Sequence, residues 1–244
     1  MSGSDSDPEL SVVAPVYNEV ENLEPLVREL RDVLAPHGWR LEIVLVNDGS
    51  TDGSEAKIGE LARASRGVVR GVHLRVNRGQ TAAFDAGFRA ARGRWVVTID
   101  ADLQNDPRDI PALIAALGEA DAAVGYRTRR RDDWLRRVSS RIANSVRNGL
   151  SGDDIIDTGC SLKAFRRECL LSLKLFSGMH RFLPTLLRIE GYRVVQLPVG
   201  HRPRTHGASK YGVGNRALRA FVDLLAVRWM RKRRLGYEVV RHDP

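Results

Sequence analysis

Short runs of apolar and β-branched residues alternate with amphipathic helical patterns through the first half of this 244-residue chain. The runs have the length and composition of β-strands and cover residues 10–16, 41–46, 72–76, 95–99 and 122–125. Between them, apolar residues recur at helical spacing over residues 23–34, 57–64, 82–91 and 110–117. Because strands joined by crossover helices run parallel, the pattern predicts an α/β fold with an open, mainly parallel sheet flanked by helices.

Polar residues follow directly on three of the predicted strands. Asn18 comes after the first strand, Asp48 after the second and Asp100 after the fourth. Open α/β sheets bind ligands outside the carboxyl ends of their strands, so we expect these side chains to line one cleft. No Gly-X-Gly-X-X-Gly follows the first strand and no Gly-Lys-Ser/Thr loop occurs in the sequence. A dinucleotide-dependent oxidoreductase and a P-loop nucleotidase therefore lack their main sequence support.

The segment DADLQNDP, residues 100–107, is the sharpest indication of chemistry. Asp100 and Asp102 are separated by one residue in a loop, where both carboxylates can turn toward one cation. Mg²⁺ and Mn²⁺ prefer oxygen ligands and commonly keep positions open for water and substrate phosphate oxygens. Asp106 before Pro107 is also typical of a helix N-cap, so a purely structural turn is the alternative interpretation of this segment.

The formal net charge of +9 is concentrated in two segments. Lys and Arg exceed Asp and Glu by eight over residues 202–244 and by six over residues 126–150, whereas the rest of the chain is acidic. This asymmetry favours an anionic partner, which is either nucleic acid, a phosphorylated small molecule or the anionic face of a membrane. A solvated charged surface is the alternative. Because no helix-turn-helix, zinc-finger or aromatic RNA-binding motif occurs in the sequence, we expect no nucleic-acid partner.

The motifs PVYNE (15–19), NDGSTD (47–52) and DADLQNDP have the order and spacing of the family 2 glycosyltransferases, which use nucleotide-sugar donors and have a GT-A (Rossmann-like) fold. The chain most resembles the polyisoprenyl-phosphate glycosyltransferases, the group that contains dolichol-phosphate mannose synthase. That closer resemblance rests on GYR (125–127), residues 136–140, DTGCSLKAF (157–165) and RTHGASKY (204–211). It implies an inverting transfer of a hexosyl group from GDP-mannose or a UDP-sugar such as UDP-glucose to a polyprenyl phosphate, dolichyl or undecaprenyl.

The resemblance also implies a role for individual residues. The nucleotide would be held by Pro15, Tyr17, Glu19 and Asp48. The Mg²⁺ or Mn²⁺ ligands would be Asp100, Asp102 and Gln104. The substrate phosphates would be bound by Arg127, Arg136, Ser140, Arg204 and Lys210. The charges of the four basic residues suit this task because the reaction brings two anions together. Catalysis would depend on Asp100, Asp102, Arg127 and Asp157.

Asp157 matches an aspartate of the family that is often proposed as a general base. A phosphate monoester with a second pKa of about 6 is already mostly dianionic at neutral pH, so this nucleophile needs little activation. We therefore expect Asp157 to orient the acceptor or the sugar hydroxyls.

The chain divides by sequence into a disordered N-terminus (1–9), a GT-A domain (10–212) and a basic C-terminal helix and tail (213–244). Beyond residue 125, the patterns predict helices over 135–150, 182–189 and 216–234, a short segment at 161–165 and a strand over 194–199. The last helix is amphipathic, and its apolar face carries Leu218, Phe221, Val222, Leu225 and Trp229. A helix lying on a membrane surface and a helix packed on the core both fit this pattern.

The sequence contains no run of the roughly 18 apolar residues that would predict a membrane span. Many bacterial members of the family that it resembles carry two such spans after the Ser-Lys-Tyr motif. We therefore expect a cytoplasmic protein, peripheral at the cytoplasmic face of the membrane, which docks on the anionic surface through residues 228–234 or binds a separate membrane subunit.

Two questions stay open at the level of sequence. A family 2 enzyme acting on a soluble sugar or polysaccharide would share the donor site and would not require Arg204 and Lys210. The segment NRGQ, residues 77–80, resembles the glucosyl branch of the family more than the mannosyl branch, so the donor sugar is undecided.

Overall fold

A computed structural model describes residues 7–128, 154–203 and 214–235, which form a seven-stranded sheet with helices on both faces. The strands are β1 (Leu10–Val16), β2 (Leu41–Asn47), β3 (Val69–His73), β4 (Trp95–Thr98), β5 (Ala122–Arg127), β6 (Lys163–Arg166) and β7 (Val194–Val199). The α-helices are α1 (Val20–Leu34), α2 (Ser54–Ala64), α3 (Gln80–Ala90), α4 (Ile110–Ala116), α5 (Arg167–Leu171), α6 (Leu183–Ile189) and α7 (Gly214–Lys232). Three 3-10 turns cover Ala35–His37, Pro107–Asp109 and Met179–Phe182.

The strand order is β3-β2-β1-β4-β6-β5-β7, and the mainly parallel sheet predicted from the sequence is confirmed. β6 is antiparallel to both of its neighbours, and its first residue, Lys163, pairs with Thr98 at the end of β4. The carboxyl ends of the six parallel strands and the amino end of β6 therefore lie at the same edge of the sheet.

The helices bury their apolar faces against the two sides of the sheet. One core layer contains α1, α2 and α4. The apolar face predicted for α1 is buried there in full: Leu23, Leu26, Val27, Leu30 and Leu34. The other layer contains α3, α5, α6 and α7, with Phe88 and Leu187 among its buried side chains. Burial of each large apolar side chain contributes about 1.5–3 kcal/mol.

The third strand was predicted over 72–76, and those bounds are wrong. β3 begins at Val69, which pairs with Ile43, and ends at His73, which pairs with Asn47. β2 ends at Asn47, so the chain beyond His73 has no strand beside it to continue the ladder. Val76 accordingly lies in the following loop and is exposed.

The C-terminal helix α7 uses two apolar faces. Leu224 and Val227 are buried in the core layer beside α3 and α6. Part of the apolar face predicted from the sequence points away from that core, since Phe221, Leu225 and Trp229 are all exposed. Among the described helices, none has the length and apolarity needed to cross a membrane. The helix predicted over 135–150 and residues 1–6 lie outside the described residues.

Candidate active site at the carboxyl edge of the sheet

A cleft of about 560 Å³ opens at the edge where the parallel strands end. Loops after β1, β2 and β4 contribute to it, as predicted from the order of the polar motifs, and so does Arg127 at the end of β5. Eight of the predicted site residues line this cleft: Pro15, Tyr17, Glu19, Asp48, Asp100, Asp102, Gln104 and Arg127. Arg136, Ser140, Arg204 and Lys210 lie outside the described residues.

The loops after β1 and β2 are joined by hydrogen bonds. Asn18, which has a positive φ of 54°, donates its backbone N–H to Oγ of Ser50 (3.0 Å) and accepts the Thr51 N–H on its side chain (2.8 Å). An Asn tolerates this left-handed conformation better than most residues. The two loops are therefore joined on one side of the cleft, which Tyr17 lines.

Asp48 anchors the loop that follows β3, the strand next to β2. One of its carboxylate oxygens accepts the N–H of Arg78 (2.7 Å) and the other accepts the N–H of Gly79 (2.8 Å). The neighbouring Gly49 has φ 67°, and a side chain there would clash, since a Cβ would lie 2.5 Å from the Asn77 nitrogen. A carboxylate has about four acceptor positions, so Asp48 retains the capacity to accept hydrogen bonds from a ligand.

Asp100 and Asp102 place two carboxylates at the floor of the cleft. Burial, followed by the charge of Asp102, raises the pKa of Asp100 against the opposing effects of Ser161, Lys163 and Arg127. Asp102 is 8% exposed. A buried carboxylate and a half-buried one that repel each other form a site that a cation would stabilise.

The donors around the acidic pair fit Mg²⁺ or Mn²⁺. The predicted ligands, Asp100, Asp102 and Gln104, offer carboxylate and amide oxygens, which both ions prefer. In the described ranges, no group of three or more His, Cys, Asp or Glu side chains forms a complete metal cage. Mg²⁺ is usually held by one or two carboxylates with substrate phosphates and water, so this donor set suits an ion shared with a diphosphate.

The loop of the acidic pair is held on both sides. Gln80 donates its side-chain amide to Oδ1 of Asp100 (2.8 Å), and the buried Asn105 side chain accepts the Ser161 hydroxyl (2.8 Å). These bonds restrict where the two carboxylates can lie. Ordered donors of this kind preserve the site geometry before a ligand arrives.

Gln104 links the acidic loop to the chain segment after β7. Its carbonyl accepts the Arg202 N–H (2.8 Å), and its side-chain amide donates to the Arg202 carbonyl (3.4 Å). The Arg202 guanidinium also pairs with Glu29 and with Asp106, at 2.7 Å each. Although burial opposes the effect, Arg108 and Arg202 hold the pKa of Asp106 well below its usual range. The backbone two residues before Arg204 is thereby fixed beside the acidic pair.

Arg127 and Asp157 pair with each other at the cleft wall. The guanidinium donates to both carboxylate oxygens, at 2.7 and 3.0 Å, and the two side chains are 15% and 14% exposed. This ion pair outweighs burial and raises the pKa of Arg127. Asp157 also accepts the Gly159 N–H (3.1 Å). The geometry therefore makes Asp157 a group that orients Arg127, and Arg127 is the member of the pair that lines the cleft.

Among the described residues, four further charged or titratable side chains line the cleft and were not predicted as site residues: Cys160, Lys163, His180 and Arg181. Burial, followed by the charges of Arg181 and Lys163, lowers the pKa of His180 to about 3, so its ring is neutral at pH 7. The ring bonds the Thr81 hydroxyl through Nδ1 (2.7 Å). Lys163 had a signal in the sequence, because it interrupts the apolar run of Leu162, Ala164 and Phe165. His180 and Arg181 had none.

Residues 11–173 match the sequence profile described as Glycosyl transferase family 2. The chain is 40% identical over 224 residues to the dodecaprenyl-phosphate galacturonate synthase of Rhizobium johnstonii, covering 90% of this chain and 66% of that protein. It is 38% identical over 205 residues to the undecaprenyl-phosphate 4-deoxy-4-formamido-L-arabinose transferase of Aeromonas hydrophila, covering 84% and 63%. The chain thus spans just under two thirds of the length of these curated relatives.

Solved structures with the same fold include the mannosyltransferase PcManGT from Pyrobaculum calidifontis in complex with GDP-Man and Mn²⁺. It has a TM-score of 0.64 and 24% identity, over 96% of this chain and 66% of that one. Glucosyl-3-phosphoglycerate synthase from Mycobacterium tuberculosis, in complex with Mn²⁺, UDP and glucosyl-3-phosphoglycerate, has a TM-score of 0.63 and 22% identity, over 92% and 80%. At this level of identity, the similarity establishes a shared GT-A fold.

Proposed function

The chain belongs to glycosyl transferase family 2, and from that premise we propose that it transfers a hexosyl group from a nucleotide-sugar to a polyprenyl phosphate. The observation that carries the proposal is the convergence of the acidic pair, Asp100 and Asp102, with Arg127 in one cleft. A carboxylate pair and a guanidinium together suit a diphosphate donor and a phosphate acceptor. The names of the two relatives, which are both polyprenyl-phosphate enzymes, support the acceptor class.

The proposed reaction is an inverting displacement at the anomeric carbon. An oxygen of the acceptor phosphate forms the new bond, and the bond between the sugar and the nucleoside diphosphate breaks. Mg²⁺ or Mn²⁺ held by Asp100, Asp102 and Gln104 would neutralise charge on the departing diphosphate. Tyr17 and Asp48 would hold the nucleotide on the side of the cleft where the first two loops are joined.

The described residues of the cleft suit a nucleophile that needs no strong base. Asp157 is engaged by Arg127 through both oxygens. A guanidinium held in this way loses little conformational freedom when it binds a phosphate in bidentate geometry. We infer that Arg127 aligns the acceptor phosphate and that Asp157 is a positioning residue.

The same proposed reaction needs further contacts to the substrate phosphates. Arg136, Ser140, Arg204 and Lys210 would surround the phosphates. The anchoring of Arg202 beside Gln104 supports this for the RTHGASKY segment, because that segment begins two residues further along the chain.

A donor panel tests the function. Purified protein is incubated with a short-chain polyprenyl phosphate, Mg²⁺ or Mn²⁺, and radiolabelled GDP-mannose, UDP-glucose, UDP-N-acetylglucosamine or UDP-galacturonate in separate reactions. We expect one donor to yield a lipid-extractable product, and chelation by EDTA to abolish it. If a soluble sugar or 3-phosphoglycerate were labelled and the lipid were not, the polyprenyl-phosphate assignment would be wrong.

We further propose that α7 docks on an anionic bilayer at the cytoplasmic face, where a polyprenyl tail would remain embedded. Its outer face exposes Phe221, Leu225 and Trp229, and the Trp229 side chain is 62% exposed. Exposed basic residues follow immediately, at Arg231 and Lys232. An apolar face bordered by positive charge is complementary to anionic lipid.

The double substitution Phe221→Ser and Trp229→Ser should reduce sedimentation with phosphatidylglycerol vesicles by about tenfold or more, because two large apolar side chains no longer enter the lipid. The wild-type chain should bind phosphatidylcholine vesicles only weakly, which is the matched control for charge. Point substitutions are preferable to deletion of α7, because deletion would remove Leu224 and Val227 from the core. Undiminished sedimentation of the double variant would exclude this face, and a wild-type chain that did not sediment with phosphatidylglycerol vesicles would favour a separate membrane subunit.

A further inference from the structure

Lys163 is a buried cation at the edge of the candidate active site. It begins β6, is 4% exposed and lines the cleft. Its ammonium donates one hydrogen bond, to the Cys160 carbonyl. Every ion pair of 4.0 Å or less among the residues that the structure describes involves another cation, so no carboxylate oxygen there lies that close to the Lys163 Nζ. The cations of those pairs are Arg40, Lys57, Arg70, Arg89, Arg92, Arg94, Arg108, Arg127, Arg166, Arg188 and Arg202.

A buried ammonium without a paired anion is costly, since the protein interior replaces only part of its hydration. A neutral side chain could also donate a hydrogen bond to the Cys160 carbonyl, so that hydrogen bond does not explain why a lysine is present. An ammonium has three N–H donors, and the carbonyl accepts one of them. The remaining N–H donors of Lys163 are therefore available to a ligand in the cleft. Burial lowers the pKa of Lys163 against the opposing charges of Cys160, Asp100 and Asp157, so an anionic ligand would stabilise its charged form.

The neighbouring charges point to an anionic ligand. Arg127 is already matched by Asp157 through two hydrogen bonds. Asp100 and Asp102 would be matched by the divalent cation of the proposed function. Once these pairs are counted, the cleft lining retains the positive charges of Lys163 and Arg181, of which Lys163 is the more deeply buried. The anions brought by the proposed reaction are phosphates.

We propose that Lys163 binds a phosphate oxygen of the substrates at the floor of the cleft. The inference rests on the proposed function and adds a binding residue to it. Two substrates carry the same chemistry here, the diphosphate of the donor and the monophosphate of the acceptor. A compact ammonium suits either one as a point charge, without the planar geometry that a guanidinium imposes.

The test uses Lys163→Gln in the full chain. Glutamine keeps an N–H donor for the Cys160 carbonyl and removes the charge. Lys174→Gln is the matched control, because it removes one positive charge at an exposed position outside the cleft. Dissociation constants are measured by calorimetry for UDP and GDP with Mg²⁺, and separately for farnesyl phosphate. Apo melting temperatures confirm that each variant is folded.

We expect Lys163→Gln to weaken one probe by about tenfold or more, as the loss of a charge-assisted hydrogen bond predicts, with Lys174→Gln unchanged. Weaker binding of UDP or GDP would assign Lys163 to the donor diphosphate, and weaker binding of farnesyl phosphate alone would assign it to the acceptor. A folded Lys163→Gln variant that binds all three probes like the wild type would overturn the inference.

A second measurement does not depend on the folding of the variant. In a crystal structure of the wild-type chain with UDP, Mn²⁺ and farnesyl phosphate, Nζ of Lys163 should lie within about 3.2 Å of a phosphate oxygen. A separation beyond hydrogen-bond range from every phosphate would contradict the inference. The two proposals can fail independently: a donor panel without lipid product would contradict the proposed function, even if nucleotide binding still depended on Lys163.

Discussion

Replacing Asp102 with Asn should lower turnover by about a thousandfold, because the acidic pair would lose one of its two charges and with it the cation that stabilises the leaving diphosphate. Asp102 is nearly buried, lines the cleft and lies beside Asp100. Asparagine has almost the same shape as aspartate, so the loop should keep its conformation. The rate constant is measured with saturating donor and a titration of Mn²⁺, which should show a weaker dependence on the ion.

Asp85→Asn provides the matched control for this prediction. Asp85 lies on α3, pairs with Arg89 one helical turn away and is not part of the cleft lining. Exposed pairs of this kind contribute little to stability, so the control should retain full turnover. If Asp102→Asn kept more than about a tenth of the wild-type rate, the metal assignment would be wrong.

Replacing Glu42 with Gln should reduce the free energy of unfolding by about 3 kcal/mol while the active site stays assembled. Glu42 is 1% exposed and accepts hydrogen bonds from the Ser11 hydroxyl (2.6 Å), Arg70 (2.7 Å) and the Arg92 side chain (2.7 Å). It lies near the start of β2, at the edge of the sheet opposite the cleft. The variant would leave two guanidinium groups without their carboxylate.

Urea unfolding measures this loss, and Glu24→Gln is the matched control. Glu24 pairs with Lys57 at the surface, where its side chain is 62% exposed and solvent screens the pair, so its substitution should change stability much less. Equal losses for the two variants would show that the buried network contributes no more than a surface pair.

The effect of Glu42 should also depend on pH. Burial raises the pKa of this carboxyl, but the hydrogen bonds from Ser11, Arg70 and Arg92 outweigh burial and hold it below the ordinary value of 4.5. A lowered pKa in the folded state contributes stability above the unfolded value, and that contribution disappears as the pH falls toward the folded value. The difference between wild type and Glu42→Gln should therefore narrow below about pH 4.5. A constant difference down to pH 3 would contradict this account.

Local patterns predicted much of the fold and of the candidate site. The apolar spacing of α1 and the β-branched runs of β1, β2 and β4 are properties of short segments, and these elements lie where they were predicted. Asp48 and Asp100 could be assigned to one cleft because parallel strands end at one edge of a sheet. Asn18, which was assigned with them, is not part of the cleft lining and bonds the loop after β2. The bounds of β3 could not be predicted, since they depend on where β2 ends.

The sequence alone determined that acidic loops follow parallel strands, because strand alternation and chain connectivity permit few other arrangements. Only the tertiary structure decided what surrounds those loops. β6 inserts between β4 and β5 and buries Lys163 at the cleft floor, while the ends of β5 and of the loop before β6 bring Arg127 and Asp157 together. Burial and charge pairing depend on contacts between residues distant in sequence, and no local periodicity records them.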